Sequence, residues 1–144
     1  MSPATDFSVA LLTHLVARGL RHVVLTPGSR SQALALAAAE LDRRGILTLT
    51  VRLDERSAAF TALGIARETG LPVAVVTTSG TAVGNLLPAV MEAHHSGVPL
   101  IVLSADRPAE LRGTGANQTT WQPGIFSSFV RLEVDVDAPS GPAD

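Results

Sequence analysis

The segment Arg52-Leu53-Asp54-Glu55-Arg56 separates two stretches of different hydrophobic periodicity. Residues 46–51, before it, form an extended run that predicts a β-strand, and residues 57–69, after it, predict a helix. The helix is predicted because apolar side chains recur at helical spacing, namely Ala59, Phe60, Leu63 and Ala66. The acidic pair therefore lies at a strand-to-helix corner.

Glu55 at this corner has two interpretations. In an open parallel sheet, ligands collect outside the carboxyl ends of the strands, so a carboxylate there can contact a bound molecule. Alternatively, Asp54 and Glu55 serve only the helix, because an N-cap side chain accepts hydrogen bonds from free amides and negative charge suits a helix N-terminus. The local sequence favours the capping role, because such caps are far commoner than active sites.

Composition predicts one domain with an aliphatic core. The chain has 144 residues, of which 46% are apolar and only 3% aromatic, so Ala, Val and Leu must fill the interior. Eleven basic and 13 acidic residues give a net charge of −2 with no basic cluster. This balance argues against nucleic acid or an anionic membrane as a partner.

Neither export nor membrane insertion is predicted. The chain has no cysteine, which excludes disulfides and thiolate metal sites and fits a reducing compartment. The first seven residues include Asp6 but no basic residue, unlike a secretory signal, and the apolar runs are too short to cross a bilayer. We therefore expect a cytoplasmic protein without an integral membrane segment.

Four apolar runs alternate with helical segments along the chain. The predicted strands are residues 22–26, 46–51, 73–77 and 100–104. The predicted helices run from Asp6, as N-cap, to Gly19, then to about Arg43 after the turn at 27–32, and over residues 57–69 and 82–95. This alternation with short connections predicts an α/β fold, an open parallel sheet flanked by helices.

Local signals predict further details of these elements. Ser29 and Gln32 have the spacing of a capping box, and Pro88 predicts a kink in the helix that contains it. After the fourth strand comes a long polar connection, residues 105–123, and loops of that length are more often functional than idle. One helical turn at residues 124–129 and a last strand at 130–136 are predicted to follow.

Polar corners fall at one end of the predicted sheet, and the first is Gly28-Ser29-Arg30-Ser31. Its helix N-terminal amides and its guanidinium could hold a carboxylate or phosphate. The turn matches neither a Walker A loop nor the G-x-G-x-x-G dinucleotide pattern. An ordinary capped turn with a solvent-exposed arginine explains the residues equally well.

The other corners also allow two interpretations. Ser79-Gly80-Thr81 is not a nucleophile elbow, because Thr77 stands where the first glycine is required. A glycine that lets the backbone approach a ligand is favoured over a nucleophile, and a simple tight turn is favoured over both. The long connection offers donors for an acidic small substrate, or it is simply a solvated loop. Those donors are Arg107, Arg112, Asn117 and Gln118.

The histidines argue against a metal site in this chain. His94 and His95 are adjacent on one predicted helix, so they point in different directions and cannot form a metal-binding pair. His14 and His22 lie elsewhere in the sequence.

Taken together, the corners resemble one enzyme family, the thiamine-diphosphate-dependent 2-succinyl-5-enolpyruvyl-6-hydroxy-3-cyclohexene-1-carboxylate synthases of menaquinone biosynthesis. The matching motifs are Thr26-Pro27-Gly28-Ser29-Arg30-Ser31, Leu53-Asp54-Glu55-Arg56, Val76-Thr77-Thr78-Ser79-Gly80-Thr81-Ala82, Ser104-Ala105-Asp106-Arg107-Pro108 and Gly115-Ala116-Asn117-Gln118. The resemblance implies an N-terminal pyrimidine-binding domain that uses thiamine diphosphate and Mg²⁺. It also implies decarboxylation of 2-oxoglutarate and addition of the succinyl semialdehyde unit to isochorismate.

The resemblance assigns a role to each matching residue. Glu55 would be the catalytic glutamate that bonds the pyrimidine N1′ atom, because a carboxylic acid can share a proton with the ring and a glutamine cannot. Thr78, Ser79 and Gly80 would lie beside the cofactor. The substrate site would be lined by Ser29, Arg30, Arg107, Asn117 and Gln118, whose arginines suit multiply negative acids.

The resemblance covers only part of a family member. The central domain and the diphosphate-binding domain that carries the metal ligands are absent from residues 1–144, and the pyrimidine-binding domain itself is expected to be incomplete at its C-terminus. A second subunit, in a homodimer or homotetramer, would complete the site, so the chain alone is expected to be inactive. The alternative is a stand-alone, non-catalytic binding or regulatory module with a pocket for acidic ligands. An open frame past codon 144 would favour the enzyme, and a stop codon would favour the module.

Overall fold

The computed structural model, which describes residues 2–139, contains one four-stranded sheet in which all strands are parallel, in the order β2-β1-β3-β4. The strands are β1 His22–Leu25, β2 Thr48–Val51, β3 Val73–Thr77 and β4 Leu100–Ser104. The helices are α1 Pro3–Ala17, α2 Gln32–Arg43, α3 Glu55–Thr69, α4 Thr81–Gly84 and α5 Leu87–Ser96, and 3₁₀ turns form at Ala109–Leu111 and Ser127–Phe129. The predicted parallel α/β fold is thus confirmed. No helix within the described part of the chain is both long enough and apolar enough to span a membrane.

Apolar side chains cover both faces of the sheet because helices pack on both faces. One face of β1 and β3, including Val23 and Val76, packs in a core cluster with α1 and α2. The other face, including Val24 and Val75, packs in a cluster with α3 and α5. All five residues of β3 are buried, as its unbroken aliphatic run predicts.

Helix α3 packs on the sheet through alanines. Ala58, Ala59, Ala62 and Ala66 are fully buried, and short side chains allow the helix backbone to approach the strands closely. Phe60, which shares the predicted apolar spacing, is 43% exposed and lies outside the core. The alanine face therefore fixes α3, and with it the corner that contains Glu55.

The sheet order changes direction between β1 and β3. Helix α2 leads from β1 to β2 on one side, and α3 leads back past β1 to β3 on the other side. In open α/β sheets a ligand crevice forms at such a switch point, outside the carboxyl ends of the strands. Here a buried hydrogen bond links these ends, because Thr26 Oγ1 donates to Thr77 Oγ1 at 3.0 Å.

The starts of the first two helices differ from the predictions. The N-cap of α1 is Ser2 and not Asp6, because Ser2 Oγ accepts a hydrogen bond from Thr5 N at 3.3 Å, and Asp6 occupies the first turn. The capping box at Ser29 and Gln32 is also wrong, since α2 has Ser31 as its N-cap residue. Ser31 Oγ donates instead to the carbonyl of Gly28 at 3.1 Å and so closes the turn before the helix.

The kink predicted at Pro88 within one long helix is not found. The segment forms two helices, α4 and α5, which are separated at Asn85 and Leu86. Pro88 lies in the first turn of α5, where a missing amide costs no intrahelical hydrogen bond. The proline thus marks the beginning of a helix.

The strand predicted at residues 130–136 is wrong, and β2 begins at Thr48 rather than at residue 46. A strand requires a ladder partner, and within residues 2–139 the segment pairs with no strand of the sheet. Its alternating apolar side chains Leu132, Val134 and Val136 are 57–79% exposed. The helical turn predicted at residues 124–129 is confirmed as the 3₁₀ turn Ser127–Phe129.

The N-cap of α3 should give the fold a measurable pH dependence. Asp54 Oδ1 accepts a hydrogen bond from Ser57 N at 2.7 Å, and this bond lowers the pKa of Asp54. A carboxyl group whose pKa is lower in the folded state than in the unfolded state stabilises the fold when it is ionised. This contribution is complete above the pKa of the unfolded state and is lost as the pH falls through the pKa of the folded state. Asp54→Ala should therefore lower the Tm at pH 7 by a few degrees.

The Tm difference between Asp54→Ala and the unsubstituted chain should shrink as the solution is acidified towards about pH 3. Thermal melts followed by circular dichroism would measure it. Asp54→Asn is the matched control, because its amide oxygen keeps the cap and its Tm at pH 7 should stay close to that of the unsubstituted chain. An Asp54→Ala deficit that is equal at pH 7 and pH 3 would contradict this account.

Candidate functional site

Four polar corners lie along one edge of the sheet because all four strands are parallel. Residues 26–31 follow β1, residues 52–55 follow β2, residues 78–80 follow β3, and residues 105–107 follow β4. The predicted site residues therefore leave the sheet in the same direction. The contacts between corners determine which of these residues meet.

The corners after β1 and β3 touch at Gly28 and Thr78. A Cβ atom added to Gly28 would lie 2.3 Å from Thr78 Cβ, which no side chain can accommodate. Thr78 is 4% exposed, and its Oγ1 is buried without a hydrogen-bond partner among the described residues. The glycine is therefore required for close approach, and the turn with Ser29 and Arg30 is held against the turn with Ser79 and Gly80.

The long connection after β4 is attached to the corner after β3 by reciprocal hydrogen bonds. Ser79 Oγ donates to the carbonyl of Gln118 at 2.9 Å, and Gln118 Nε2 donates to the carbonyl of Ser79 at 3.2 Å. Gln118 has a φ of 57°, a left-handed conformation that costs a non-glycine residue about 1 kcal/mol. The two hydrogen bonds offset that strain.

Gly80 requires both conformational freedom and space. Its φ is 80°, and an added Cβ would lie 3.0–3.1 Å from atoms of Gln118. The group that approaches this glycine in the structure is the loop at Gln118, and the predicted approach of a ligand stays a prediction. Next to this contact is a recess of about 470 Å³ lined by Gly80, Thr81, Asn117, Gln118, Thr119 and Thr120.

Gln122 hydrogen-bonds both the corner after β3 and the first residue after β4. Its Oε1 accepts from Gly80 N at 2.9 Å, and its Nε2 donates to the carbonyl of Ala105 at 2.9 Å. The residue is 6% exposed, so its amide is buried with a partner for each end. The neighbouring Trp121 is 67% exposed and its ring lies against Gly113.

The two arginines of the connection differ in their partners. Arg112 donates to Asp106 at 2.8 Å and to Asp135 at 3.3 Å, and the hydrogen bond to Asp106 raises the pKa of Arg112. Arg112 is therefore engaged with two carboxylates of the chain itself, and its use as a donor to an acidic substrate, one of the two interpretations above, stays a prediction. Arg107, whose backbone amide donates to Asp106 Oδ1 at 2.7 Å, forms no ion pair among the described residues, and the Nε atoms of both arginines are buried there without a hydrogen-bond partner.

Glu55 is the first residue of α3, and its side chain is half-buried. Asp54 caps the helix, so the Glu55 side chain is not needed for capping. Within residues 2–139 no ion pair engages the Glu55 carboxylate. Beside it Val51 and Leu53 are 52% and 84% exposed, which leaves a free carboxyl group next to apolar surface at the sheet edge.

The structure joins some predicted site residues and leaves others apart. Thr78, Ser79, Gly80 and Gln118 meet through direct contacts, and Asn117 lines the adjoining recess. Ser29 and Arg30 lie on the exposed surface of the turn that Gly28 holds against Thr78. Glu55 shares the sheet edge, one strand away from β1.

Sequence reasoning missed two residues that organise this site, Gln122 and Asp106. The contacts of Gln122 are with residues 17 and 42 positions away, so no local spacing could reveal them. Asp106 belongs to a recognised motif, but its bonds to the backbone of Arg107 and the side chain of Arg112 depend on the path of the loop. Among the described residues no three His, Cys, Asp or Glu side chains are grouped closely enough to hold a metal ion.

Comparison with known proteins identifies a family. Residues 5–125 match the model of the thiamine pyrophosphate enzyme, N-terminal TPP binding domain. A relative from Leifsonia xyli subsp. xyli (strain CTCB07) is 66% identical over 140 residues, which are 97% of this chain and 24% of the relative. It bears the name 2-succinyl-5-enolpyruvyl-6-hydroxy-3-cyclohexene-1-carboxylate synthase.

Two further relatives bear the same name. The one from Arthrobacter sp. (strain FB24) is 67% identical over 124 residues, 86% of this chain and 21% of the relative. The one from Kineococcus radiotolerans (strain ATCC BAA-149 / DSM 14245 / SRS30216) is 62% identical over 143 residues, 99% of this chain and 26% of the relative. The chain thus spans about a quarter of the length of the curated relatives it matches.

The contact between Gly28 and Thr78 predicts a strong coupling between these positions. Gly28→Ala should destabilise the chain by about 1–3 kcal/mol, because the backbone must move to admit the new methyl group. All three of the nearest atoms belong to Thr78, so in a Thr78→Gly background the same substitution should cost at least about 1 kcal/mol less. Urea unfolding of the four variants would give this coupling energy.

Gly64→Ala is the matched control for that cycle. Gly64 lies within α3 with no atom within 4 Å of an added Cβ, so alanine should stabilise the chain by about 0.5–1 kcal/mol. An equal cost of Gly28→Ala in both backgrounds would show that Thr78 does not enforce the glycine.

Proposed function

The chain belongs to the thiamine pyrophosphate enzyme family, as its N-terminal TPP binding domain, and from this membership we propose that it is the N-terminal part of a 2-succinyl-5-enolpyruvyl-6-hydroxy-3-cyclohexene-1-carboxylate synthase. The family resemblance predicted from the sequence motifs is confirmed by this match. The proposed reaction decarboxylates 2-oxoglutarate and adds the succinyl semialdehyde unit to isochorismate, a transferase reaction of menaquinone biosynthesis in the cytoplasm.

The observation that carries the proposal is the free carboxyl group of Glu55 at the sheet edge. Leu53, two residues before Glu55, is 84% exposed, so the same corner offers a heterocycle both apolar surface and a half-buried carboxyl group. Glu55 would then hold a shared proton at the pyrimidine N1′ atom, as a general acid–base residue does. Thiamine diphosphate, when bound, supplies the nucleophilic carbon that the decarboxylation requires.

The residues of the other corners would bind the acidic substrates. Arg30 is exposed on its turn, and Arg107 has an unpartnered Nε, so both guanidinium groups can bind a carboxylate. Asn117 and Gln118 would add hydrogen bonds in the recess that they line, and Ser29 would add one from the exposed turn after β1. The backbone turn of Thr78, Ser79 and Gly80 would lie beside the cofactor, where the orphaned Thr78 Oγ1 can donate a hydrogen bond.

A second subunit would cover the Glu55 corner. Val51, Leu53 and Phe60 are 43–84% exposed, which is apolar surface suited to a protein interface. We propose that the complete enzyme is a homodimer or homotetramer whose partner subunit closes the site over Glu55. Residues outside this chain would hold Mg²⁺ and the cofactor diphosphate.

A chimaera tests the proposed reaction. This chain would replace the matching 24% of the Leifsonia xyli relative, and carbon dioxide release from 2-oxoglutarate would be measured with isochorismate present. The chimaera should be active, and Glu55→Gln should lower its kcat by about 10²–10⁴-fold, because an amide can bond the ring but cannot share a proton. Thermal melts would establish that Glu55→Gln keeps its fold.

Glu68→Gln is the control, since Glu68 is an exposed glutamate near the other end of α3 and its replacement should leave kcat unchanged. Near-normal turnover of the Glu55→Gln chimaera would remove Glu55 from the proposed role. An inactive unsubstituted chimaera would contradict the proposed reaction itself.

The isolated 144-residue chain should bind the cofactor weakly and should not turn over, because the diphosphate and its metal would lack their proposed ligands. Isothermal titration with thiamine diphosphate, with and without Mg²⁺, measures this directly. Tight, Mg²⁺-dependent binding to the isolated chain would show that this domain holds the diphosphate by itself.

A further inference from the structure

The Gln122 amide group is the only described side chain that hydrogen-bonds both the corner after β3 and the residue that follows β4. Its Oε1 fixes the amide of Gly80, and its Nε2 fixes the carbonyl of Ala105, both at 2.9 Å. Because Gln122 is 6% exposed, water cannot readily replace either contact. The Gln122 amide thus bridges two corners that are also joined next to it by a backbone hydrogen bond from Ala105 N to the carbonyl of Thr77 at 3.0 Å.

Each end of this bridge leads directly to proposed site residues. Gly80 packs against Gln118, and Ser79 exchanges two hydrogen bonds with Gln118. Ala105 is followed by Asp106 and Arg107, whose backbone is oriented by the Asp106 carboxylate. Gln122 therefore acts together with the Ser79–Gln118 pair to hold the cofactor-side turn against the substrate-side loop.

We propose that Gln122 is a positioning residue that, together with the Ser79–Gln118 hydrogen bonds, fixes the distance between the turn at residues 78–80 and the loop that carries Arg107, Asn117 and Gln118. This inference rests on the proposed function. Gln122 itself contacts neither substrate nor cofactor. Its effect is transmitted through Gly80 and Ala105, so its loss should raise the KM values for the acidic substrates more than it lowers kcat.

Two substitutions separate the contacts of Gln122 in the chimaera described above. Gln122→Met has a similar volume and removes both hydrogen bonds, whereas Gln122→Glu keeps the acceptor for Gly80 N and places a second oxygen against the Ala105 carbonyl. Both variants should raise the KM values for the two acidic substrates by about tenfold or more, with a smaller change in kcat. Unchanged KM values in Gln122→Glu would overturn the role of the Ala105 contact and with it the proposal.

Leu41→Ala is the control for a general loss of stability. Leu41 lies on α2, in the core cluster between the sheet and helices α1 and α2, and is 7% exposed. Its truncation should therefore lower the Tm while leaving both KM values unchanged. If Gln122→Met lowers the Tm like Leu41→Ala and leaves both KM values unchanged, Gln122 is structural and the proposal fails.

Hydrogen exchange at the Gly80 amide gives a readout that does not depend on activity. In the isolated chain, Gln122→Met should speed exchange at Gly80 by at least about tenfold, and Gln122→Glu should keep it protected. Unchanged exchange in Gln122→Met would overturn the bridge. An inactive unsubstituted chimaera would remove the proposed function and the role of Gln122 in it, and the exchange experiment would still report the contact separately.

Discussion

The close approach of Gly28 to Thr78 is the constraint on which the candidate site depends. There is no room for a Cβ atom at residue 28, so the turn after β1 lies directly against the turn after β3. The buried Thr26–Thr77 hydrogen bond, just below this contact, holds the two strand ends together. Two corners that are 50 residues apart in the sequence thereby become one polar surface at the switch point of the sheet.

The core explains why this surface is held so rigidly. Alanine, valine and leucine fill the two faces of the sheet, and the alanines of α3 bring that helix close to the strands. The same packing leaves two large apolar side chains exposed. Leu53 lies just before α3, and Phe60 lies in its second turn. Helix α3 thus has a buried alanine face, which fixes the corner that contains Glu55, and exposed apolar side chains outside that face.

Much of the fold could be predicted from the sequence because its signals are local. Unbroken aliphatic runs such as Val73–Thr77, and the glycines that end the helices, indicated the four strands and their order of appearance. Errors arose where a local signal needed a partner: residues 130–136 alternate like a strand but have no ladder among the described residues. Pro88 was misjudged because proline suits a helix start as well as it kinks a helix.

The sequence predicted candidate site residues but not the contacts between them. Glu55 and the Thr78–Gly80 corner were found from motifs, since they stand directly at strand ends. Gln122 and the pairing of Arg112 with Asp106 were not found, because long-range hydrogen bonds depend on the path of an irregular loop. That loop also carries Trp121, the one tryptophan of a chain without tyrosine. Its largely exposed indole adjoins Gln122 in the sequence, so the intrinsic fluorescence of the domain is a natural optical probe of this loop and of little else.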